Sequence, residues 1–319
     1  MMARCIRVMI FSCCMTLLVV SCKPRASKNP EPARSSKTIV QLDSTSLIHD
    51  LEYLSSPALE GRETGSPGNA LAQAYITRIF DSLQLQQPNS GRKQEFPMGK
   101  REELITGTNL LAIIQGSVHP DQYLVISAHY DHLGEKGGKI YFGADDNASG
   151  TACLLALARY FKLVQPRHSI ILASFDAEEK GLVGSSWFVH HLPVDSSRIL
   201  LNVNMDMVSR SDKHEIYASG FYHYPFLQKF VDSIKPITPV TVSYGHDKPS
   251  DGADDWTNQS DHYPFHKAGI PYIYFGVEDH PDYHQPTDSF EKIDKAFYYQ
   301  ACEMIRETIT LLDKQQSLK

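Results

Sequence analysis

The chain has 319 residues, 42% of them apolar and 21% charged, a globular mixture that excludes a disordered, collagen-like or low-complexity protein. Its 31 basic and 37 acidic residues give a formal charge of −6, yet in the first 37 positions Arg4, Arg7, Lys23, Arg25, Lys28, Arg34 and Lys37 stand against Glu31 alone. Residues 38–319 therefore hold 24 basic and 36 acidic side chains, a net of −12 that repels nucleic acid and attracts cations.

Arg4 and Arg7 precede an apolar run over 8–20. At 13 residues it is shorter than the about 20 a membrane-spanning helix needs, and it suits an export signal. The run closes on Val19-Val20-Ser21-Cys22, which resembles the lipobox of bacterial lipoproteins. The expected division is a signal peptide at 1–21, a lipidated Cys22 with a flexible tether over 22–37, and a single domain over 38–319. The tether, KPRASKNPEPARSSK after the cysteine, has no large apolar residue to bury. The protein is then expected to be exported and anchored by lipid to a bacterial membrane, in the periplasm or at the outer membrane. A cleaved signal with an incidental cysteine is the alternative. Within the domain only Cys153 and Cys302 remain, as a disulfide or as two buried thiols.

Helical periodicity covers 47–55 and 70–85, separated by the glycine-rich turn LEGRETGSPGN. From there strands are expected at 109–115, 123–128, 169–175, 199–205, 215–219 and 271–275, with helices near 150–163, 182–191, 225–234 and 295–313. Such alternation predicts a three-layer α/β/α sandwich around a mixed, mostly parallel central sheet. Ligands of such sheets collect beyond the carboxyl ends of the strands.

Metal-ligand side chains stand there in number. His129-Tyr130-Asp131-His132 follows the second strand, and Asp145 and Asp146 lie in the next loop. Glu178 and Glu179 follow the third strand, Asp206 the fourth, and Tyr283 and His284 follow the last. Singly, each reads as a hydrogen-bonded pair, a helix cap or a solvated turn. Together, two imidazoles and three carboxylates suit two divalent ions, zinc above all, with one glutamate left to take a proton from water. Other signatures fail: His214-Glu215 lacks the second histidine of HExxH, no GxSxG or phosphate loop occurs, and the calcium-loop pattern from Asp145 ends on Ala156.

SAHYDHLG, GADDNASG, FDAEEKGLVGS, NMDMV and YHQPTD, in this order, resemble the co-catalytic di-zinc aminopeptidases of peptidase clan MH, over about 45–313. The resemblance implies a zinc exopeptidase-like fold and two Zn²⁺ per chain. His129, Asp146 and Asp206 would hold one ion, and Asp146, Glu179 and His284 the other. It makes Glu178 the general base, Asp131 the carboxylate that orients His129, and Tyr283 a stabiliser of the oxyanion, and it implies a cis peptide at Asp146–Asn147. The implied activity is hydrolysis of the N-terminal peptide bond of peptides with a free N-terminus, by a monomer. The rivals are a glutaminyl cyclase-like acyltransferase using one zinc, a carboxypeptidase-like relative, and a non-catalytic binding lipoprotein. The loop 245–259, with Asp247, Asp251, Asp254, Asp255 and Trp256, reads first as a solvated acidic loop, with lining of the substrate pocket or a weak calcium site as alternatives, and Asp261 either faces substrate or caps a helix.

Overall fold

A computed structural model describes residue 9, residues 40–99 and residues 104–316. The expected signal peptide, the Cys22 anchor and the tether thus lie outside the described residues, Met9 apart. In chain order the regular elements are α1 (Ser44–Leu54), α2 (Pro67–Ser82), β1 (Lys93–Met98), β2 (Ile105–Ile114), β3 (His119–His129), the short hairpin β4 (Glu135–Lys136) and β5 (Lys139–Ile140), and α3 (Gly150–Leu163). They continue with β6 (His168–Phe175), α4 (Val183–His190), β7 (Ile199–Met205), β8 (Glu215–Ser219), α5 (Gln228–Ile234), β9 (Thr241–Tyr244), α6 (His262–Lys267), β10 (Tyr272–Gly276) and α7 (Lys295–Asp313).

Eight strands form one sheet in the order β1-β2-β6-β3-β7-β10-β8-β9. The central run β6-β3-β7-β10 is parallel, so the carboxyl ends of four strands share one edge. β2 and β1 on one side and β8 on the other join antiparallel, giving the mixed sheet that the alternation predicts. The period of two along each strand divides its side chains between two cores. Leu110, Ala112, Leu124, Ile126 and Leu172 pack with α1, α2, α3 and α7, whereas Leu111, Val125, Ile171, Ala173 and Phe175 pack with Phe188 of α4 and Phe265 of α6. Both faces are covered, which is why the central strands are buried almost throughout.

The long helices match the expected ones within a few residues. The differences are short or peripheral: β1, β9, the β4–β5 hairpin and α6 had no strong sequence signal. Cys153 and Cys302 are both buried free thiols. Among the described residues no helix is long and apolar enough to cross a membrane.

Candidate metal centre

The four parallel strand ends deliver the chemistry. β3 stops at His129, β6 runs into Asp176-Ala177-Glu178-Glu179, β7 is followed by Asp206, and the loop after β10 carries Tyr283 and His284. Between β3 and α3 the chain makes a wide helical turn over Ala144–Ser149, with a cis peptide at Asp146–Asn147. Asp288 fixes that turn, because its carboxylate accepts hydrogen bonds from the amides of Asp145 and Asp146. Asp145 is drawn away to Ser209 and His280, which leaves Asp146 alone to face the strand ends.

The two oxygens of Asp146 face different partners. Oδ1 lies 3.4 Å from His129 Nε2, and that nitrogen is also 3.2 Å from Asp206 Oδ1. Oδ2 lies 3.0 Å from His284 Nε2, which is 3.3 Å from Glu179 Oε2. All five residues expected as ligands therefore converge, in two sets that share Asp146. The sequence reading passed over one further residue: His132 Nδ1 stands 2.8 Å from Glu179 Oε1 and 3.7 Å from Asp146 Oδ2. Among the described residues, donor atoms within 4.8 Å of one another form the triads His129, Asp146 and Asp206, and His132, Asp146 and Glu179.

The surroundings orient these groups. Asp131 is fully buried, with Oδ1 3.6 Å from His129 Nδ1. Its two oxygens also accept from the backbone amides of Glu178 and Glu179, so one carboxylate positions three members of the site. Ser260 donates to Asp206 Oδ2 at 2.7 Å. Arg62, from the glycine-rich turn, is buried and donates to the carbonyls of Leu54, Tyr130, Phe142 and Gly143, clamping the loops on either side of His132. Burial lowers its pKa to about 10, against the pull of Asp146, Asp288, Asp131 and Glu179.

Glu178 borders the cleft beside Asp146 and Asp206, 4.0 Å from His129 Nε2. Burial raises its pKa well above the usual carboxylate range. Burial and the neighbouring Glu179 also raise Asp146. The acidic groups gathered at the strand ends repel one another, and cations relieve that repulsion. Donor chemistry agrees, since His Nδ1 of residue 132 and Oε1 of Glu179 approach closely yet are buried without a hydrogen-bond partner. An imidazole nitrogen and a carboxylate oxygen so placed suit an ion between them. The imidazole and carboxylate donors fit zinc.

The cleft wall holds Met207, Trp256, Gln259, Tyr274, Asp279 and Tyr283 besides the metal donors. Tyr283 stacks on His284, with ring centroids 4.0 Å apart. Trp256 and Gln259 place part of 245–259 on the cleft, the alternative to the first reading as a solvated acidic loop. Trp256 is stacked on His246 at 3.7 Å, and Asp247 is buried, accepting from the amides of Gly220 and Tyr222. Asp261 precedes α6 but makes no capping bond, and burial raises its pKa to about 7.

The model of peptidase family M28 matches residues 109–309. The chain belongs to peptidase family M28. Among curated relatives, aminopeptidase YwaD of Bacillus subtilis is 29% identical over 296 residues, 89% of this chain and 58% of that protein. A probable glutamate carboxypeptidase of Zea mays, VP8, is 31% identical over 59% of this chain and 27% of its own length. The chain thus spans little more than half, or less, of these M28 relatives. Among solved structures, the zinc aminopeptidase BSAP from Bacillus subtilis superposes with a TM-score of 0.68 at 19% identity, covering 87% of this chain and 97% of that one. The glutaminyl cyclase of Porphyromonas gingivalis reaches 0.69 at 15% identity, covering 86% and 100%. At these identities the superpositions speak for the M28 fold alone, the α/β/α sandwich described above.

Proposed function

We propose that this M28 protein is a zinc aminopeptidase that hydrolyses the N-terminal peptide bond of peptides. The observation that carries the reading is the division of Asp146, one oxygen toward His129 and the other toward His284. A carboxylate so placed is suited to join two ions, one held by His129, Asp146 and Asp206 and the other by Asp146, Glu179 and His284. Zinc bound at such a centre supplies a Lewis acid for the scissile carbonyl and acidifies water at neutral pH. Glu178 takes the proton from the attacking water and returns it to the departing amine, a role its place on the cleft beside Asp146 and Asp206 suits. Asp131 fixes the backbone of Glu178 and faces the far nitrogen of His129, holding base and ligand in register. Tyr283, on the cleft wall, steadies the oxyanion. Glu178 and Asp279 give the cleft an acidic lining that suits a protonated α-amino group.

A one-zinc glutaminyl cyclase shares the fold, but the paired donor sets favour two ions. Incubation of the zinc-loaded protein with a mixed peptide library, read by mass, tests the reading. Free N-terminal amino acids and peptides one residue shorter are expected. Pyroglutamyl peptides, or loss from the C-terminus, would replace it with a cyclase or a carboxypeptidase.

We also propose that the protein is lipid-anchored at Cys22, on the strength of the Val19-Val20-Ser21-Cys22 run alone. Metabolic labelling with a fatty acid should mark the wild type and not Cys22→Ser, with the variant released to the soluble fraction. Equal labelling of the two would end that proposal.

A further inference from the structure

His132 is fully buried: its Nε2 meets no protein donor or acceptor, and its Nδ1 reaches Glu179 Oε1 at 2.8 Å without hydrogen-bond geometry. A buried imidazole normally satisfies at least one nitrogen, so an Nδ1 aimed at carboxylate oxygens without a hydrogen bond is costly unless something else binds it. Its Nδ1 points into the site, 2.8 Å from Glu179 Oε1 and 3.7 Å from Asp146 Oδ2, and Glu179 Oε1 is itself without a partner. His284 reaches the other oxygen of Glu179 and the same Oδ2 of Asp146, and the two histidine rings are 5.9 Å apart between centroids.

The placement of His132 is built in. Gly143 has φ of +56°, and a Cβ there would stand 2.5 Å from two carbons of the His132 ring and 2.2 Å from the carbonyl oxygen of Asp146. The ring therefore lies in a recess open only because residue 143 lacks a side chain. The His132 amide donates to the carbonyl of Arg62, and the Arg62 guanidinium holds the carbonyls of Tyr130 and Gly143. Such fixed backbone is what a metal ligand requires from its support.

We propose that His132 is a fourth protein ligand of the ion on the Glu179 side, an inference that rests on the metal-centre reading above. The two ions are then unequal. His132, Asp146, Glu179 and His284 fill the four positions zinc prefers, as in a closed site, while His129, Asp146 and Asp206 leave one position open. The Glu179 side should fill first and release its ion last.

Substituting ¹¹³Cd for zinc in the full chain with ¹⁵N-labelled histidine reads the ligands directly, through one-bond coupling. Three coupled imidazoles are expected at saturation, those of His129, His132 and His284, and with one equivalent those of His132 and His284 should appear first. His132→Asn should remove one coupling and weaken the tighter ion about tenfold or more. Two coupled imidazoles at saturation, with His132 keeping a proton on Nδ1, would overturn the proposal and leave His132 as a hydrogen-bond donor to Glu179. The coupling count needs no variant, so a misfolded His132→Asn does not spoil it. It is also independent of turnover: three couplings in a protein without peptidase activity would strike the proposed function and leave the ligand assignment standing.

Discussion

Glu178 and Glu179 are neighbours in sequence with separate tasks, because their side chains diverge from a backbone held by Asp131. Glu179 lies against His132 and His284, and Glu178 faces the cleft. Removing the second carboxylate should therefore stop chemistry without emptying the site. Glu178→Ala is expected to lower turnover by about 10²–10⁴-fold, the usual range for a lost general acid–base group, while metal content by elemental analysis stays at the wild-type value. A variant that turns over normally would remove Glu178 from the role of base. The residues of the site differ in how plainly they could be read. His129, Asp206 and the Glu pair sit at or just after apolar strands, where the direction of the chain is fixed by sheet periodicity, whereas Asp146 lies in the turn before α3 and was legible from its motif. His132 lies three residues into a loop whose course depends on Arg62 and Gly143, contacts at long separation that no local pattern encodes.

At the scale of elements, the site depends on how closely α3 approaches β7. Gly150 opens α3 with ordinary helical φ and ψ, so its smallness serves contact and not backbone conformation. A Cβ there would meet the carbonyl oxygen of Met205 and Asn147 Oδ1, each at 2.4 Å. Asn147 Nδ2 already donates to that carbonyl, and Asn147 Oδ1 accepts from the Gly150 amide. Gly150→Ala should cost about 1–3 kcal/mol of stability through overpacking, read as a lower denaturant midpoint at unchanged slope. An unchanged midpoint would mean that the helix and strand have slack between them. The central strands and long helices were legible because each buries a continuous apolar run or a broad stripe. β1 was not: it is an edge strand, KQEFPM, with Pro97 in it and only Gln94 and Phe96 buried. β9 is four residues long, too short for periodicity to register. For loop 245–259 the acidic composition put solvent ahead of the pocket-lining alternative, whereas Asp247 is used to hold backbone amides and Trp256 reaches the cleft.

For the whole molecule, four parallel strands ending on one edge gather acidic groups that no single segment could hold together. Part of the acidic balance of residues 38–319 is gathered there: Asp131, Asp146, Glu178, Glu179 and Asp206 stand together at the strand ends. Such a cluster is poised to take up divalent cations, and binding energy released there adds to folding stability. The architecture and the five expected ligands followed from strand ends and motif order. The inequality of the two ions did not, since it rests on His132. The most direct test of the account is an anomalous difference map at the zinc edge from crystals of the zinc-loaded protein. Two peaks about 3.5–4 Å apart, as in other two-metal sites, are expected, with Asp146 between them. A single peak, or peaks away from His129, Asp206, Glu179 and His284, would contradict it.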